Sequence, residues 1–84
     1  MNDLKDFGFI RLTDSKSNRI IYINVNHIIA ITDFYTKNTH DYSEINYSVG
    51  YYKVSENSFT IYRRILEVFE IKKQNKFNQI KNEL

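Results

Sequence analysis

Few side chains in this 84-residue sequence are of the types that catalyse reactions or hold metals. Cysteine is absent, which excludes disulfides, thiolate metal sites and cysteine nucleophiles. His40 is followed by Asp41 and Glu44, and these three side chains have the chemistry of metal ligands. They fall in a polar stretch without periodicity, whereas a metal site needs ligands that are rigidly held. We therefore predict no metal site and no cofactor.

Motifs for nucleophilic catalysis and for phosphate binding are also missing. The two glycines, Gly8 and Gly50, are too far apart to form a phosphate-binding loop. None of the serines lies in the sequence context of a nucleophile elbow. We predict no catalytic residues and expect a protein that is not an enzyme.

One aromatic pair and one basic pair form the most suggestive combination. Tyr51 and Tyr52 lie in a predicted strand, and Arg63 and Arg64 lie early in a predicted helix. Small folds stack bases on aromatic side chains of a sheet and hold phosphates with arginines. If the helix packs back across the last strand, these four residues form a candidate site for a nucleotide or nucleic acid. The structural alternative is that one tyrosine belongs to the core, since neighbouring strand residues point to opposite faces.

The elements that must position these side chains follow from apolar periodicity. Alternation with period two predicts five strands, over residues 7–13, 19–25, 28–34, 44–49 and 51–55. The polar stretch 35–43 is either a long exposed connection or an extended hairpin tip. Gly50 is expected to supply a positive φ at the last turn. Asn24 is expected to end the second strand by satisfying backbone groups where the chain bends.

A single helix is predicted to follow the strands. Ser55 or Ser58 is expected to cap it, and it runs from about Phe59 towards the C-terminus with apolar residues at helical spacing. The predicted fold class is therefore α+β, an antiparallel sheet of about five short strands followed by one C-terminal helix. We expect one domain, with residues 1–6 as a flexible N-terminus, 7–55 as the sheet and 58–84 as the helix. The predicted core consists of Ile10, Leu12, Ile21, Ile23, Ile28, Val54, Ile61, Ile65 and Phe69.

A second apolar set follows a charged stretch of the helix. Phe77, Ile80 and Leu84 recur at steps of three and four residues. Either the helix frays after about residue 73, or it continues and these three side chains meet a partner. We predict the second outcome, most simply a homodimer held partly by this helix, because a lone helix cannot bury the three side chains against itself.

Composition places the chain among small globular proteins. The net charge of +2 is too small to indicate nucleic-acid binding by itself. No apolar run approaches the length of a membrane span, and residues 1–6 lack the basic and apolar regions of a secretory signal. We expect a cytoplasmic protein without membrane contact.

Scattered positions over residues 9–66 resemble a known family. They are Leu12 and Thr13 in the first strand, Ile23 and Asn24 closing the second, Ile28 and Ile31, Gly50, and Val54 with Glu56 before the helix. This pattern resembles the FlbD family of small flagellar and swarming proteins. The resemblance implies a small β-sheet with one helix more than it implies a flagellar role. Residues 22–31 also faintly resemble the last strands of a LytTR DNA-binding domain.

Two functional hypotheses follow. The first is a non-catalytic protein-interaction or regulatory module that self-associates and acts by binding a protein partner. The alternative is a protein that binds or sequesters nucleotides or nucleic acid through tyrosine and arginine side chains. A phage-type inhibitor fits either class, because such a protein needs only one binding face.

Overall fold

The computed structural model describes residues 4–83, with side chains for all of these except residues 6 and 72–83. The strands are β1 Phe9–Thr13, β2 Ile20–Asn24, β3 Ile28–Thr36, β4 Thr39–Tyr47 and β5 Gly50–Val54. The helix α1 spans Ser58–Glu83, and short 3₁₀ helices span Leu4–Phe7 and Val25–His27. This order confirms the predicted α+β class, five antiparallel strands followed by one C-terminal helix.

The five strands form two antiparallel sheets joined at one point. β1 pairs with β2, and β4 pairs with both β3 and β5. A single bridge between Asp14 and Val54 connects them, made by the N–H of Ser15 to the carbonyl of Lys53 and the N–H of Ser55 to the carbonyl of Thr13, each 2.9 Å. The pairing stops there because the chain leaves β5 after Val54 and turns into α1. The strand order across the joined sheets is therefore β2, β1, β5, β4, β3.

The core lies between α1 and one face of these strands, which we call the helix face. Its buried apolar residues are Ile10, Leu12, Ile23, Val25, Ile45, Val54, Ile61 and Val68. The predicted core residues Ile21, Ile28 and Ile65 are partly buried against this cluster. Phe69 was expected in the core, and that prediction is wrong because its side chain is 50% exposed. Val68 takes its place, since a helix that buries Ile61 and Ile65 brings position 68 to the same side.

The polar stretch 35–43 is the tip of an extended hairpin. β3 continues to Thr36 and β4 begins at Thr39, so only Lys37 and Asn38 form the turn. Both turn residues have positive φ, 50° and 66°. Two such residues produce the tight turn whose twist matches that of the flanking strands. Of the two interpretations left open by the sequence, the structure has the hairpin tip.

Two predicted turn and cap assignments are wrong. Gly50 is the first residue of β5 and does not have a positive φ, since residues 48–49 form the turn. The helix is capped by neither Ser55 nor Ser58. Asn57 caps the helix instead, because its Oδ1 accepts the N–H of Thr60 at 2.9 Å.

The first strand begins later than predicted. Residues 4–6, expected within a flexible N-terminus, belong to the 3₁₀ helix Leu4–Phe7, and Gly8 turns the chain into β1 with a φ of 88°. Residues 1–3 lie outside the described part of the chain. Asn24 ends β2 as expected, since its side chain accepts the N–H of Asn26 at 2.9 Å.

Candidate functional site

We call the sheet surface opposite α1 the open face, and several of its large side chains, among them Ile20, Tyr22 and Tyr51, are exposed. Alternation along each strand sends the neighbours of the core residues to this side. Side chains from all five strands point to this side, in two groups that meet at the Asp14–Val54 bridge. The large side chains of the open face are Phe9, Arg11, Ile20, Tyr22, Phe34, Tyr42, Tyr51 and Lys53. This concentration of aromatic, aliphatic and cationic groups is the main candidate for a binding site.

One end of the open face is an ordered stack. The rings of Phe34 and Tyr42, directly opposite each other on β3 and β4, lie 4.8 Å apart and within 13° of parallel. The ammonium group of Lys53 lies 5.2 Å from the centre of the Tyr42 ring. A cation over an aromatic face is held by the ring quadrupole. The stack therefore presents a preorganised apolar and cationic patch.

The other end of the open face belongs to the β1–β2 hairpin. Arg11 lies directly opposite Tyr22, and Thr13 lies opposite Ile20. Tyr22 and Ile20 are each 49% exposed, and Tyr51, on β5, is 56% exposed. Large apolar side chains that share one surface and stay half exposed mark interaction sites more often than scattered ones do.

A cleft of about 470 Å³ follows the edge of β1 from the helix side to the open face. Leu4 and Glu67 line its helix end, and Ile20 and Tyr22 line its open-face end. Arg64 also lines this cleft. The cleft therefore connects the open face to the helix side along the part of β1 that does not pair with β5.

The structure separates the tyrosine pair from the arginine pair of the predicted ligand site. Tyr51 is on the open face, whereas Tyr52 is on the other face and stacks on Tyr47 with ring centres 5.2 Å apart. Neither Tyr51 nor Tyr52 is buried, so the expectation that one belongs to the core is wrong. The basic groups beside them are Lys16 and Lys53, which share with both tyrosines a cleft of about 200 Å³.

The two arginines serve the helix and its attachment to β1. Arg63 lies over the ring of Phe59, on α1 itself. Arg64 donates to the carbonyl of Arg11 and to Glu56, the latter at 3.2 Å. Among the described residues, neither arginine forms a hydrogen bond, ion pair or ring contact with Tyr51 or Tyr52, and α1 lies against β1, β3 and the first 3₁₀ helix.

A cluster of His40, Ser43 and Asp33 lies on the helix face, and its geometry suits a structural role rather than catalysis. The hydroxyl of Ser43 donates to Asp33 at 2.6 Å, while Nε2 of His40 lies 2.8 Å from the same hydroxyl oxygen. A serine nucleophile needs its proton directed at a base and its oxygen open to substrate. Here the proton points to the carboxylate and Ser43 is 0% exposed. The cluster therefore ties β3 to β4 beside the start of α1.

Asp33 is the centre of this cluster. It also accepts the N–H and hydroxyl of Ser58, at 2.8 Å and 2.5 Å. Partial burial acts to raise the pKa of Asp33, but the hydrogen bonds from Ser43 and Ser58, with the nearby His40, outweigh it and lower the pKa. A negative charge at the first residue of α1 also suits the positive end of the helix dipole.

Glu56 is a second carboxylate that joins separate elements, and it lies beside the bridge between the two sheets. Its two carboxylate oxygens accept the N–H and the hydroxyl of Thr13, each at 2.9 Å. Burial acts to raise the pKa of Glu56, but these bonds and the bond from Arg64 lower it. Glu56 thereby satisfies a peptide group of β1 that no strand pairs with.

The predicted metal candidates are not gathered into a site. His40 faces Asp33 and Ser43, while Asp41 accepts a hydrogen bond from Thr36. Across the described residues, no group of three or more histidines and acidic residues is arranged to hold a metal ion. Within the same residues, no helix combines the length and apolar character that crossing a membrane requires.

The predicted self-association residues cannot be placed in contacts. Phe77 and Ile80 belong to α1, but their side chains lie outside the described part of the structure, as does Leu84 entirely. Their role in self-association stays a prediction.

Comparison with known proteins gives no match. No protein-family model, curated protein or solved structure matches this chain. The resemblance to the FlbD family therefore stays a prediction.

The sequence analysis missed most of the open face. Tyr42 was missed because it falls in residues 35–43, a polar stretch without periodicity that was left as either a connection or a hairpin tip, and Phe34 was placed at a strand end. A signal was present, since aromatic residues at positions 34 and 42 flank the short polar turn of a hairpin. The predicted core residues Ile21 and Ile23 imply that Tyr22 lies on the opposite face, but its neighbours there depend on strand order, which the local sequence does not specify.

Proposed function

We propose that this protein is a non-catalytic interaction module that binds a protein partner through the open face. The observation that carries the proposal is the set of aromatic side chains Tyr22, Phe34, Tyr42 and Tyr51 on the open face, of which Tyr22, Phe34 and Tyr51 are exposed. Tyrosine, phenylalanine and arginine are enriched in protein interfaces, where aromatic anchors provide most of the binding energy.

Rigid placement supports a binding role for this surface. The anchors stand on strands rather than on loops, and Phe34, Tyr42 and Lys53 hold one another in place. Preorganised side chains lose little conformational entropy when a partner docks. The mixed charge of the face, with Lys53 directly opposite Glu44 and Arg11 on the other sheet, suits a protein surface better than a polyanion.

A second candidate function is binding of single-stranded nucleic acid. The specific observation that favours it is the cleft where Tyr51 and Tyr52 lie beside Lys16 and Lys53. Tyrosines that stack bases and lysines that neutralise phosphates are the usual elements of such sites. The arginines named in the sequence analysis lie elsewhere and do not contribute.

A photocrosslinking experiment tests the first proposal. A photoreactive amino acid replaces Tyr51 on the open face or, as the matched control, Tyr62 on the solvent side of α1, which is similarly exposed. We expect one protein species to crosslink at position 51 and not at 62, and to be lost in the chain carrying Phe34→Ser. Equal crosslinking at both positions contradicts the open face as the binding surface.

Fluorescence anisotropy with labelled oligo-dT and oligo-U separates the two candidates. Under the first proposal these oligonucleotides do not bind at moderate salt. Binding that weakens steeply as salt rises, and that is lost in the Lys53→Ser chain, indicates phosphate contacts and favours the second candidate.

A further inference from the structure

The two outer edges of the joined sheets differ in how they are protected against further pairing. Exposed edges invite another strand, and proteins guard them with bulges or inward-pointing charges. β3 carries both devices, since its register shifts at two places and Asp33 points inwards to Ser58. β2 has neither, because it pairs with β1 without a register shift and Ile20–Asn24 contains no charged residue.

The outward peptide groups of β2 can be identified from its hydrogen bonds to β1. The N–H of Asp14 donates to Arg19, and the N–H of Val25 donates to Gly8, each at 2.9 Å. Since hydrogen-bonded pairs alternate along an antiparallel ladder, the positions between them divide in the same way. Ile21 and Ile23 bond to β1, whereas Ile20, Tyr22 and Asn24 direct their peptide groups away from it. No described strand accepts those outward groups.

We infer that a second copy of this chain pairs with this edge, β2 against β2, about a two-fold axis at Tyr22. The outward positions are symmetric about Tyr22, with Ile20 on one side and Asn24 on the other. Antiparallel pairing then sets the two Tyr22 residues opposite each other, where they exchange main-chain hydrogen bonds. Ile20 of each copy lies opposite Asn24 of the other. The same surface meets itself, as a two-fold dimer requires.

The side chains at this junction are complementary on both faces. On the open face the two Tyr22 side chains become direct cross-strand neighbours, at a spacing at which aromatic pairs attract. On the helix face Ile21 of each copy lies opposite Ile23 of the other. Ile21 is only partly buried in the single chain, so pairing completes its burial. The two open faces become one continuous surface, but the dimer does not depend on that surface binding a partner.

Charge substitution on the full chain tests the inference by light scattering coupled to gel filtration. The wild type is expected at about twice the monomer mass of 10.1 kDa. Tyr22→Lys and Tyr22→Glu each place like charges opposite each other and are expected to run as monomers. An equimolar mixture of the two is expected to restore the dimer mass, because lysine then faces glutamate. Thr32→Lys, the matched control on the opposite edge strand, is expected to stay dimeric.

A backbone variant tests the same contact without adding charge. Tyr22→Pro removes the outward N–H and leaves the bonds of Ile21 and Ile23 to β1 intact, so the far-ultraviolet circular dichroism is expected to remain and the dimer to dissociate. Tyr22→Val, its control, keeps the N–H and is expected to retain a weaker dimer.

Four results would overturn the inference. They are a wild type that stays monomeric at 100 micromolar protein, a dimer that survives Tyr22→Lys, a mixture of the lysine and glutamate variants that stays monomeric, and a dimer lost in the Phe77→Ser, Ile80→Ser double variant but not in Tyr22→Lys. The last result assigns self-association to the C-terminal part of α1 instead.

Discussion

Asp33 on β3 holds the first residue of α1 through both of its carboxylate oxygens. The N–H of Ser58 donates to Oδ1 at 2.8 Å, and the hydroxyl of Ser58 donates to Oδ2 at 2.5 Å. Ser43 adds a further bond to Oδ1 from β4. One carboxylate therefore joins two strands and the helix, and it sets where α1 begins over the sheet.

Replacing Asp33 by asparagine is expected to lower the free energy of unfolding by about 1–3 kcal/mol, because an amide group then faces hydrogen-bond donors. Urea unfolding followed by circular dichroism measures the change. Glu44→Gln is the control, since Glu44 is on the opposite face of β4 and has no hydrogen bond or ion pair in the described structure. An equal loss of unfolding free energy in both variants would mean that the loss of a negative charge, and not of the Ser58 contact, lowers the stability.

Glu56→Gln is expected to cost a similar amount, about 1–3 kcal/mol, because the bonds from Thr13 and Arg64 to a charged acceptor are weakened. Glu70→Gln, on the exposed part of α1, is the control and is expected to change the stability by less than about 0.5 kcal/mol. A double-mutant cycle with Arg64→Met separates the ion pair from the Thr13 bonds. A coupling energy of zero would show that Arg64 contributes nothing through Glu56.

Acid is expected to destabilise the fold through Asp33 and Glu56. Both have pKa values below their ordinary ones in the folded chain. Their stabilisation is therefore present above the unfolded values, about 3.9 and 4.3, and is lost as the pH falls through that region towards the folded pKa values.

The unfolding midpoint in urea should consequently fall between about pH 5 and pH 3. The Asp33→Asn, Glu56→Gln double variant should show a shallower fall over the same range. Some dependence should remain, because hydrogen bonds from the backbone N–H groups of Ser17 and Lys16 also lower the pKa of Asp14. Parallel pH profiles for the wild type and the double variant would refute the assignment.

Asn57→Ala is expected to destabilise the protein by about 1 kcal/mol, since the N–H of Thr60 loses its cap. Ser55→Ala is the informative control, because the sequence offers Ser55 as an equally good cap and the structure gives its side chain no such contact. Thermal unfolding distinguishes them. A larger effect at Ser55 would contradict the observed helix start.

Local patterns in the sequence determined the elements and most of the core. Leu12 and Ile10, or Ile61 and Ile65, could be assigned to the core because the periods of strands and helices involve neighbouring residues. The five strands, the single helix and the strand end at Asn24 follow from such short-range signals. Phe69 was misplaced for the same reason, since one residue of error rotates a helix by about 100°.

Tertiary structure alone decided which polar and aromatic side chains meet. Asp33 and Ser58 are 25 residues apart, and Thr13 and Glu56 are 43 apart, so only strand order and the path into α1 bring them together. The open face is assembled from five strands in the same way. Strand order also separated Tyr51 from Arg64, because α1 packs over β1. Periodicity specifies which side of an element is buried, but the neighbours of an exposed side chain depend on the packing of elements that are distant in sequence.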